Sequence, residues 1–324
     1  MSHSSSPFEP IVWRASGGGN DFLALPEPER LPTPDEVQAW CRRGLSLGAD
    51  GVFVLTRSAI RAPEGAPTDV EVPGGSATDP PRVIMRHFNP DGGEAALCLN
   101  GTRCAARLAF ELGWAQQRIE LVTGAGSIYA RSQGEDIALT VPLPPAPPRI
   151  WQGSWQGPQG TLALTGHGLI VGVPHLVVPW PTSLADAPVE AFGAEWVRRP
   201  VTGPGGVNVH LVRWPRPDRL EIRSYERGVF AETLACGTGT LAAVAARLAS
   251  GEPLTFPVRA LTSGGFTLTV EAERLESDGA QDASHPGNGI PLRWWRLAGD
   301  ARLLVRGAVM QGASRVPPAP DWSP

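Results

Sequence analysis

The sequence predicts a mixed α/β protein of two pseudo-symmetric domains, each with strands wrapped around a central buried helix. A chain of 324 residues exceeds the usual size of one domain. A short pattern, Glu-x-x-x-Cys-x-x-Gly, occurs at residues 94–101 and again at residues 232–239. Each copy opens an alanine-rich apolar stretch, which is followed by a strand, a glycine turn and a second strand. We therefore infer a duplicated α/β unit.

The elements of the two units correspond in order. The first unit has a helix that ends near Gly113 and then two strands joined by a turn at Gly126. The second has a helix that ends near Gly251 and two strands joined at Gly265. The two turn glycines are almost as far apart in sequence as the two pattern cysteines, so the repeat keeps its register. Both helices are apolar around most of their circumference, which is typical of helices enclosed by strands.

A proline-rich segment, residues 142–148, separates the units, and it can continue neither a helix nor a central strand. We therefore place an N-terminal domain at residues 1–145 and a C-terminal domain at residues 146–300. Residues 62–82 and 277–291 are rich in Gly, Pro, Ser and Asp, and we expect them to be surface insertions with little order.

The composition excludes several classes of function. The net charge is −4 and charged residues make up 19% of the chain, so no large basic surface for nucleic acid is expected. The partner is expected to be a small molecule. The sequence has no apolar run of about 18 residues and no signal-peptide pattern at its start, which predicts a cytosolic protein without a membrane segment. All 28 basic residues are arginine, so no lysine can hold pyridoxal phosphate, and we expect no cofactor.

The four cysteines are too few for a disulfide scaffold and match no common zinc spacing, so we expect free thiols and no metal site. Cys98 and Cys236 stand at the first turn of the two repeated helices. Cys41 and Cys104 lie within helical patterns and are interpreted as packing residues. A buried, unreactive thiol is the ordinary alternative for any single cysteine, but recurrence of the whole pattern favours a functional pair.

A cysteine at a helix start lies in the field of the helix dipole, which favours the thiolate. Such positions lower a cysteine pKa from about 8.5 to roughly 3.5–7.5. The backbone N–H groups of Leu99, Asn100, Gly237 and Thr238 would be free donors at these helix starts, and together they could hold one carboxylate from two sides.

Two thiols on opposite faces of one α-carbon could invert its configuration. A thiolate would remove the α-proton, and the other thiol would deliver a proton to the opposite face. The carbanionic transition state needs stabilisation where charge develops on the carboxylate, and helix-end donors are suited to that task. The sequence therefore predicts an isomerase that acts on an amino acid.

Several segments resemble the diaminopimelate epimerase family, which interconverts LL- and meso-diaminopimelate without a cofactor. The resemblance is carried by residues 17–22, 47–51, 88–104, 172–175 and 225–239, and it spans most of the chain outside the two insertions. The third and fifth segments are the most specific, because each runs into one of the repeated cysteines. The resemblance implies a site in the cleft between two α/β domains, with the strand at residues 301–315 completing the first domain.

The resemblance also assigns roles to residues. Cys98 and Cys236 would be the two catalytic bases, and His175 and Glu226 the auxiliary polar pair that orients the substrate or sets the protonation of the thiols. The remaining matching positions would grip the substrate, with an arginine suited to a carboxylate at its far end. These positions are Asn20, Asn89, Asn208 and Arg227.

Three departures from the family pattern concern the substrate more than the reaction. Leu99 replaces the usual glycine after the first cysteine, and its side chain must point away from the ligand or narrow the pocket. Val173 replaces an asparagine that helps to bind the far end of diaminopimelate. The stretch from Glu226 to Cys236 is one residue longer than usual, which would displace Glu226 unless the turn absorbs the addition.

The resemblance favours a diaminopimelate epimerase of lysine biosynthesis, and it is compatible with a homodimer. Leu99 and Val173 motivate an alternative, which is a racemase of another amino acid, such as histidine, or a related isomerase of this fold. A third hypothesis treats Cys98 and Cys236 as a redox-sensing thiol pair without turnover. That hypothesis leaves Asn20, Asn89, Asn208 and Arg227 without a role.

Overall fold

The computed structural model describes residues 9–58, 80–142, 146–157, 160–200, 205–273 and 294–316. Most of the first predicted insertion and all of the second lie outside the described residues, as does part of the proline-rich segment.

The first half of the chain contains eight described strands and two α-helices. In order they are β1 Ile11–Gly17, β2 Asn20–Pro26, α1 Pro34–Cys41, β3 Gly51–Arg57, β4 Arg82–Phe88, β5 Glu94–Ala95, α2 Leu99–Glu111, β6 Arg118–Thr123, β7 Gly126–Gln133 and β8 Asp136–Pro142.

The second half repeats this order with small differences. Its elements are β9 Arg149–Gly157, β10 Gly160–Val171, β11 Val173–Pro179, α3 Val189–Trp196, β12 Asn208–Arg216, β13 Arg219–Glu226, β14 Ala231–Thr233, α4 Gly237–Ala249, β15 Val258–Thr262, β16 Thr267–Glu273 and β17 Trp294–Asp300. A last strand, β18 Arg302–Ala308, and a 3₁₀ turn at Gln311–Ser314 follow.

Strand pairing shows the duplication directly. In the first half β2 pairs in parallel with β3, β3 pairs antiparallel with β4, and β4 pairs in parallel with β6. In the second half β11, β12, β13 and β15 pair in the same orientations. The short strand β5 lies antiparallel to β4, as β14 does to β13. The predicted mixed α/β architecture of two related halves is confirmed.

Strands surround one central helix in each half. Helix α2 contacts β1, β2, β7, β8 and β18, whereas α4 contacts β10, β11, β12 and β16. Ten of the thirteen residues of each helix are buried, which matches apolar side chains around most of the circumference. Both helices end where the sequence predicts. Gly113 and Gly251 adopt left-handed φ angles of 70° and 71° just beyond the last turns, which closes each helix.

The sheet is continuous between the halves. Strand β17 pairs with β8, with Leu297 opposite Leu139, and β18 pairs with β1, with Trp13 opposite Arg306. The strand that follows the second half in sequence therefore lies in the sheet of the first half. The domain boundaries at residues 145 and 300 stay a prediction.

The repeated glutamate of the pattern has a structural role in both halves. Glu94 forms two hydrogen bonds with Arg86 of β4, at 2.9 and 2.7 Å, and Glu232 forms two with Arg223 of β13, at 2.7 and 2.6 Å. Each pair fastens the short strand before a cysteine to the strand beside it. Arg223 also donates to the carbonyl of Leu184, at 2.8 Å, and to two neighbouring carbonyls.

The two ion pairs differ in burial, so the matched substitutions Glu94→Gln and Glu232→Gln should differ in cost. Side-chain exposures are 40% and 46% in the Arg86–Glu94 pair but 23% and 18% in the Arg223–Glu232 pair. We expect Glu94→Gln to lower the free energy of unfolding by less than about 1 kcal/mol, because exposed pairs contribute little. Glu232→Gln should cost about 1–3 kcal/mol, since it leaves a part-buried guanidinium short of an acceptor.

Urea unfolding of both variants and the unaltered protein measures these costs. Equal destabilisation by the two substitutions would contradict the prediction.

Candidate active site

Cys98 and Cys236 occupy equivalent positions, because each is the N-cap of its helix. Their Sγ atoms accept hydrogen bonds from the N–H groups of Gly101, at 3.5 Å, and Gly239, at 3.4 Å. The backbone carbonyls of the two cysteines accept from the Thr102 hydroxyl, at 2.8 Å, and the Thr240 hydroxyl, at 3.0 Å. A thiol thus takes the capping role that Ser, Thr, Asp or Asn usually fills. The repeated Cys-x-x-Gly spacing places a backbone donor on each sulfur.

The two helix starts meet at the residues that follow the cysteines. The Leu99 side chain is buried, and a Cβ built on Gly237 would lie 3.1 Å from the Leu99 Cβ. Leu99 and Gly237 are equivalent in the repeat. The leucine side chain therefore occupies the space between the helix starts that the glycine leaves open. The leucine therefore packs against the partner helix within the hydrophobic core.

The Asn100 side chain connects the two halves. Its amide nitrogen donates to the carbonyl of Ala235, at 2.9 Å, and to Oδ1 of Asn20, at 2.7 Å. Its own oxygen accepts from the buried Arg103 guanidinium at 2.8 Å. Because Ala235 precedes Cys236, this side chain ties the start of α2 to the residue beside the second cysteine.

Two hairpin turns, one from each half, add further contacts between the halves near the cysteines. The turn between β1 and β2 includes Gly19 at φ 84°, and a Cβ there would lie 2.7 Å from the Leu234 side chain. The turn between β10 and β11 includes Gly172 at φ 68°, and a Cβ there would lie 2.8 Å from the Leu97 side chain. Each turn thus rests on the segment before the cysteine of the other half, and only glycine fits in either place.

The pKa values of both thiols are higher than the sequence predicts. The pKa of Cys98 is raised to about 11, chiefly by burial and in smaller part by the nearby Glu226 carboxyl, while the Gly101 N–H and Arg103 oppose this shift. Burial also raises the pKa of Cys236 well above its ordinary value, again with a contribution from Glu226. The predicted lowering is therefore wrong for this conformation, because loss of hydration outweighs the field of the helix start.

Glu226 lies beside Cys236. Its carboxylate accepts from the Thr233 hydroxyl and is within hydrogen-bonding reach of the Cys236 thiol. Burial raises the pKa of Glu226, so the carboxyl holds a proton more readily than an exposed glutamate. One carboxyl thus acts electrostatically on both cysteines.

The additional residue between Glu226 and Cys236 is absorbed by the turn. Phe230 adopts a left-handed φ of 55°, its N–H donates to the Glu226 carbonyl at 2.8 Å, and its carbonyl accepts from the Tyr225 hydroxyl at 2.7 Å. Glu226 therefore keeps its contact with Cys236, so the extra residue does not remove the carboxyl from the site.

His175 is buried and belongs to a hydrogen-bonded chain. Its Nδ1 lies 2.8 Å from Nε2 of His210, and its Nε2 lies 3.4 Å from the Val171 carbonyl. His210 Nδ1 lies 2.8 Å from the Ser224 hydroxyl. Burial lowers the pKa of His175 to about 3, so this imidazole is neutral. His210 and Ser224 were not predicted from the sequence; strand register, which pairs them across β12 and β13, is the signal that brings them to His175.

The predicted substrate-binding side chains divide into three groups. Asn20 is held by Asn100 and by Asp50, whose Oδ2 accepts from the Asn20 amide at 3.1 Å. Asn208 is buried, and its Oδ1 accepts from the Arg227 N–H at 3.0 Å. Asn89 is exposed in the turn after β4, and its side chain forms no hydrogen bond with the residues that the structure describes.

Arg227 is half-buried at the end of β13. Its guanidinium donates to the Gly205 carbonyl at 3.1 Å. Among the described residues, no carboxylate forms an ion pair with Arg227. Val173 is half-buried and follows Gly172 at the start of β11, so it lies at the turn that contacts the first cysteine segment.

The other cysteines lie in the hydrophobic core. Cys41 belongs to a cluster around Trp40, and Cys104 belongs to the central cluster between the helices. Burial raises the pKa of Cys41 to about 12 and that of Cys104 further. Over the parts of the chain that are described, the structure contains no cluster of His, Cys, Asp and Glu suited to a metal and no helix long and apolar enough to cross a membrane.

The sequence profile of the family described as diaminopimelate epimerase matches residues 12–141 and 169–281, which is most of the chain. The chain belongs to the diaminopimelate epimerase family.

Relatives named diaminopimelate epimerase match this chain over nearly the whole of their own length. The Methanothrix thermoacetophila protein is 36% identical over 81% of this chain and 90% of its own. The Gemmatimonas aurantiaca protein is 32% identical over 91% of this chain and 98% of its own. The Aquifex aeolicus protein is 31% identical over 80% of this chain and 88% of its own. Membership of the diaminopimelate epimerase family makes the chain an isomerase.

Solved structures share the fold at low sequence identity. A hydroxyproline epimerase from Agrobacterium vitis, with bound trans-4-hydroxy-L-proline, is 15% identical with a TM-score of 0.62, over 96% of both chains. A probable proline racemase from Agrobacterium radiobacter, with bound carbonate, has the same identity and TM-score over 93% of both chains. This member of the diaminopimelate epimerase family therefore has the same fold as these two proteins.

The raised cysteine pKa values predict slow alkylation at neutral pH. Iodoacetamide reacts with the thiolate, whose fraction at pH 8 is about one in a thousand for a pKa near 11. We expect the modification rate of Cys98 to rise about tenfold per pH unit between pH 7 and 10, and that of Cys236 to rise at least as steeply. Peptide mass spectrometry after timed quenching measures both rates in one sample.

Cys104, which is fully buried, serves as an internal control that stays unmodified while the protein is folded. In urea all four cysteines should react with a midpoint near pH 8.5. A rate that levels off below pH 8 for either N-capping cysteine would contradict the prediction.

Proposed function

We propose that the protein is a diaminopimelate epimerase of lysine biosynthesis, which interconverts LL- and meso-diaminopimelate by two-base proton exchange. The observation that carries this proposal is the placement of Cys98 and Cys236 as equivalent N-caps, close enough to one carboxyl for Glu226 to act on both thiols. The names of the relatives supply the substrate. A single thiol could exchange a proton on one face only, whereas two opposed thiols account for inversion.

In the proposed reaction one cysteine, as thiolate, takes the proton from the α-carbon, and the electron pair left behind is delocalised into the carboxylate. The thiol of the other cysteine then gives its proton to the opposite face. The Cα–H bond that breaks is replaced by one on the other side, and the two cysteines exchange their protonation states. Return to the starting state needs one proton to pass from one thiol to the other or through solvent.

Glu226 is proposed to accept the proton of Cys236. Both groups are shielded from water, so neither ionises readily alone, and a shared proton avoids a second buried charge. The N–H groups of Leu99, Asn100, Gly237 and Thr238 are proposed to bind the reacting carboxylate at the two adjoining helix starts. His175 is proposed to act indirectly, because its neutral imidazole is fully buried and both ring nitrogens are engaged by His210 and by the Val171 carbonyl.

Arg227 and the asparagines are proposed to bind the far end of the substrate. Arg227 suits the second carboxylate of diaminopimelate, and Asn208 holds its backbone in place. Asn20 is held by hydrogen bonds with Asp50 and Asn100, beside the start of α2. Asn89, exposed in its turn, is proposed to reach the substrate as well.

A racemase of another amino acid is the second candidate. The observation in its favour is Val173, an apolar side chain at the β10–β11 turn where the family has an asparagine. Losing one polar partner of a buried substrate group costs about 1–3 kcal/mol, which would favour a less polar substrate.

Incubation in heavy water with LL-diaminopimelate and, separately, with a panel of L-amino acids that includes histidine discriminates these candidates. We expect α-deuterium in the product from LL-diaminopimelate, with Cys98→Ser and Cys236→Ser each lowering turnover by at least about 10²-fold, since each removes one acid-base group. NMR of the quenched substrates measures the exchange. Exchange with another amino acid but none with LL-diaminopimelate would overturn the first candidate in favour of the second.

Arg227→Lys tests the far end of the site. Lysine keeps the charge but loses the planar fork, so kcat/KM for LL-diaminopimelate should fall about 10- to 100-fold, corresponding to about 1–3 kcal/mol of transition-state binding. Initial rates of product formation measure the change. Arg213→Lys is the matched control, because Arg213 pairs with Glu221 at an exposed position of the same sheet. An equal loss in both variants would argue against a contact with Arg227.

A further inference from the structure

The ring of His210 lies directly beneath the first turn of α4. A Cβ built on Gly239 would lie 2.2 Å from the His210 Cε1, so only glycine fits against this ring. The N–H of the same Gly239 donates to the Cys236 sulfur. The position of the His210 ring therefore determines where this donor stands relative to the thiol.

The ring is fixed by hydrogen bonds of defined direction. The Val171 carbonyl can only accept, so Nε2 of His175 carries a hydrogen, and Nδ1 of the neutral His175 is an acceptor. His210 Nε2 must then donate to His175, at 2.8 Å. Nδ1 of His210 is left as an acceptor for the Ser224 hydroxyl, at 2.8 Å. Every polar atom of both rings is satisfied in one arrangement.

The first half lacks this arrangement at the same three positions. By strand register, Phe22, Phe53 and His87 stand where His175, His210 and Ser224 stand in the second half. They make aromatic contacts, with ring centroids 6.0 Å apart for Phe22 and Phe53 and 5.7 Å for Phe22 and His87. His87 Nδ1 is buried and has no hydrogen-bond partner in the described parts of the chain.

The contact under the first cysteine helix is also looser. A Cβ built on Gly101 would lie 3.5 Å from the nearest His87 atom, which is ordinary van der Waals contact. A ring therefore lies against the third residue of each cysteine helix, but the two rings come from different strands, His210 from β12 and His87 from β4. Of these two described rings, only His210 has a hydrogen bond on both nitrogens.

We propose that His210 and Ser224 are positioning residues for Cys236, which hold the Gly239 N–H on the sulfur and keep His175 in a single tautomer. The inference rests on the proposed function for the role of Cys236 in turnover. Neither residue touches the reacting atoms, and the Cys98 side of the site has no equivalent lock. The two cysteines are thus expected to respond differently to changes at these positions.

The test compares His210→Phe, which reproduces the Phe53 position of the first half, with Ser224→Ala, which removes only the hydroxyl. His210→Gln is the rescue variant, because its amide can still donate to His175. His87→Phe is the matched change under Cys98. Iodoacetamide alkylation at pH 9, read separately for Cys98 and Cys236 by peptide mass spectrometry, needs no substrate and no turnover. Initial rates with the substrate identified by deuterium exchange give kcat and KM.

We expect His210→Phe to lower the ratio of Cys236 to Cys98 alkylation about tenfold, because a displaced N–H no longer stabilises the Cys236 thiolate. kcat should fall about tenfold with KM within twofold, and His210→Gln should recover most of both. Ser224→Ala should change the ratio in the same direction by about threefold. His87→Phe should leave the Cys236 rate unchanged.

An unchanged ratio in both His210→Phe and Ser224→Ala would overturn the proposal, as would an equal change at both cysteines, which would indicate general loosening of the fold. If His210→Phe does not fold, Ser224→Ala alone decides by the same ratio. Absence of exchange with every amino acid in the unaltered protein would refute the proposed function, and the alkylation ratio would still decide whether His210 positions the thiol.

Discussion

The hydrogen bonds of the Asn100 side chain are the constraint on which the candidate site depends. The amide joins Asn20, Ala235 and Arg103, so it fixes the start of α2 against the residue that precedes Cys236. Two thiols can serve one α-carbon only if their helices keep a set separation, and a fraction of an ångström matters for proton transfer. The buried Arg103 orients the amide, because its guanidinium can only donate and therefore selects the oxygen of Asn100. A core arginine thus contributes to the site without facing it.

Duplication gave both halves the same framework, and individual positions then diverged. The arginine–glutamate pairs, the threonine bonds to the cysteine carbonyls and the glycine at the third helical position recur in both. Leu99 against Gly237 and the aromatic cluster against the histidine chain do not. The recurring features hold each thiol at its helix start, whereas the diverged ones make the surroundings of the two thiols unequal.

The sequence predicts the features that depend on near neighbours. The helix ends at Gly113 and Gly251, the cysteines at the two helix starts and the duplication follow from patterns within a few turns of chain. The family resemblance extends these features to a fold. The thiol pKa could not be predicted in this way, because the sulfur is dehydrated by residues distant in sequence. The link from His210 to His175 and Ser224 was equally inaccessible, since it arises from the register of three strands. The Glu226 turn depended on a left-handed Phe230, which no local rule favours.

The pairing of β18 with β1 bears on how the chain reaches its native state. These strands stand close to opposite ends of the described chain, yet they are hydrogen-bonded neighbours in the first half. During synthesis the first half therefore emerges with both edges of its sheet unpaired, because the partner of β1 is β18 and the partner of β8 is β17, and with part of the surface around α2 uncovered. Closing so distant a contact is slow, and unpaired strand edges favour association with other chains. The two halves are related by duplication, but the first half cannot complete its sheet until the second half has been synthesised.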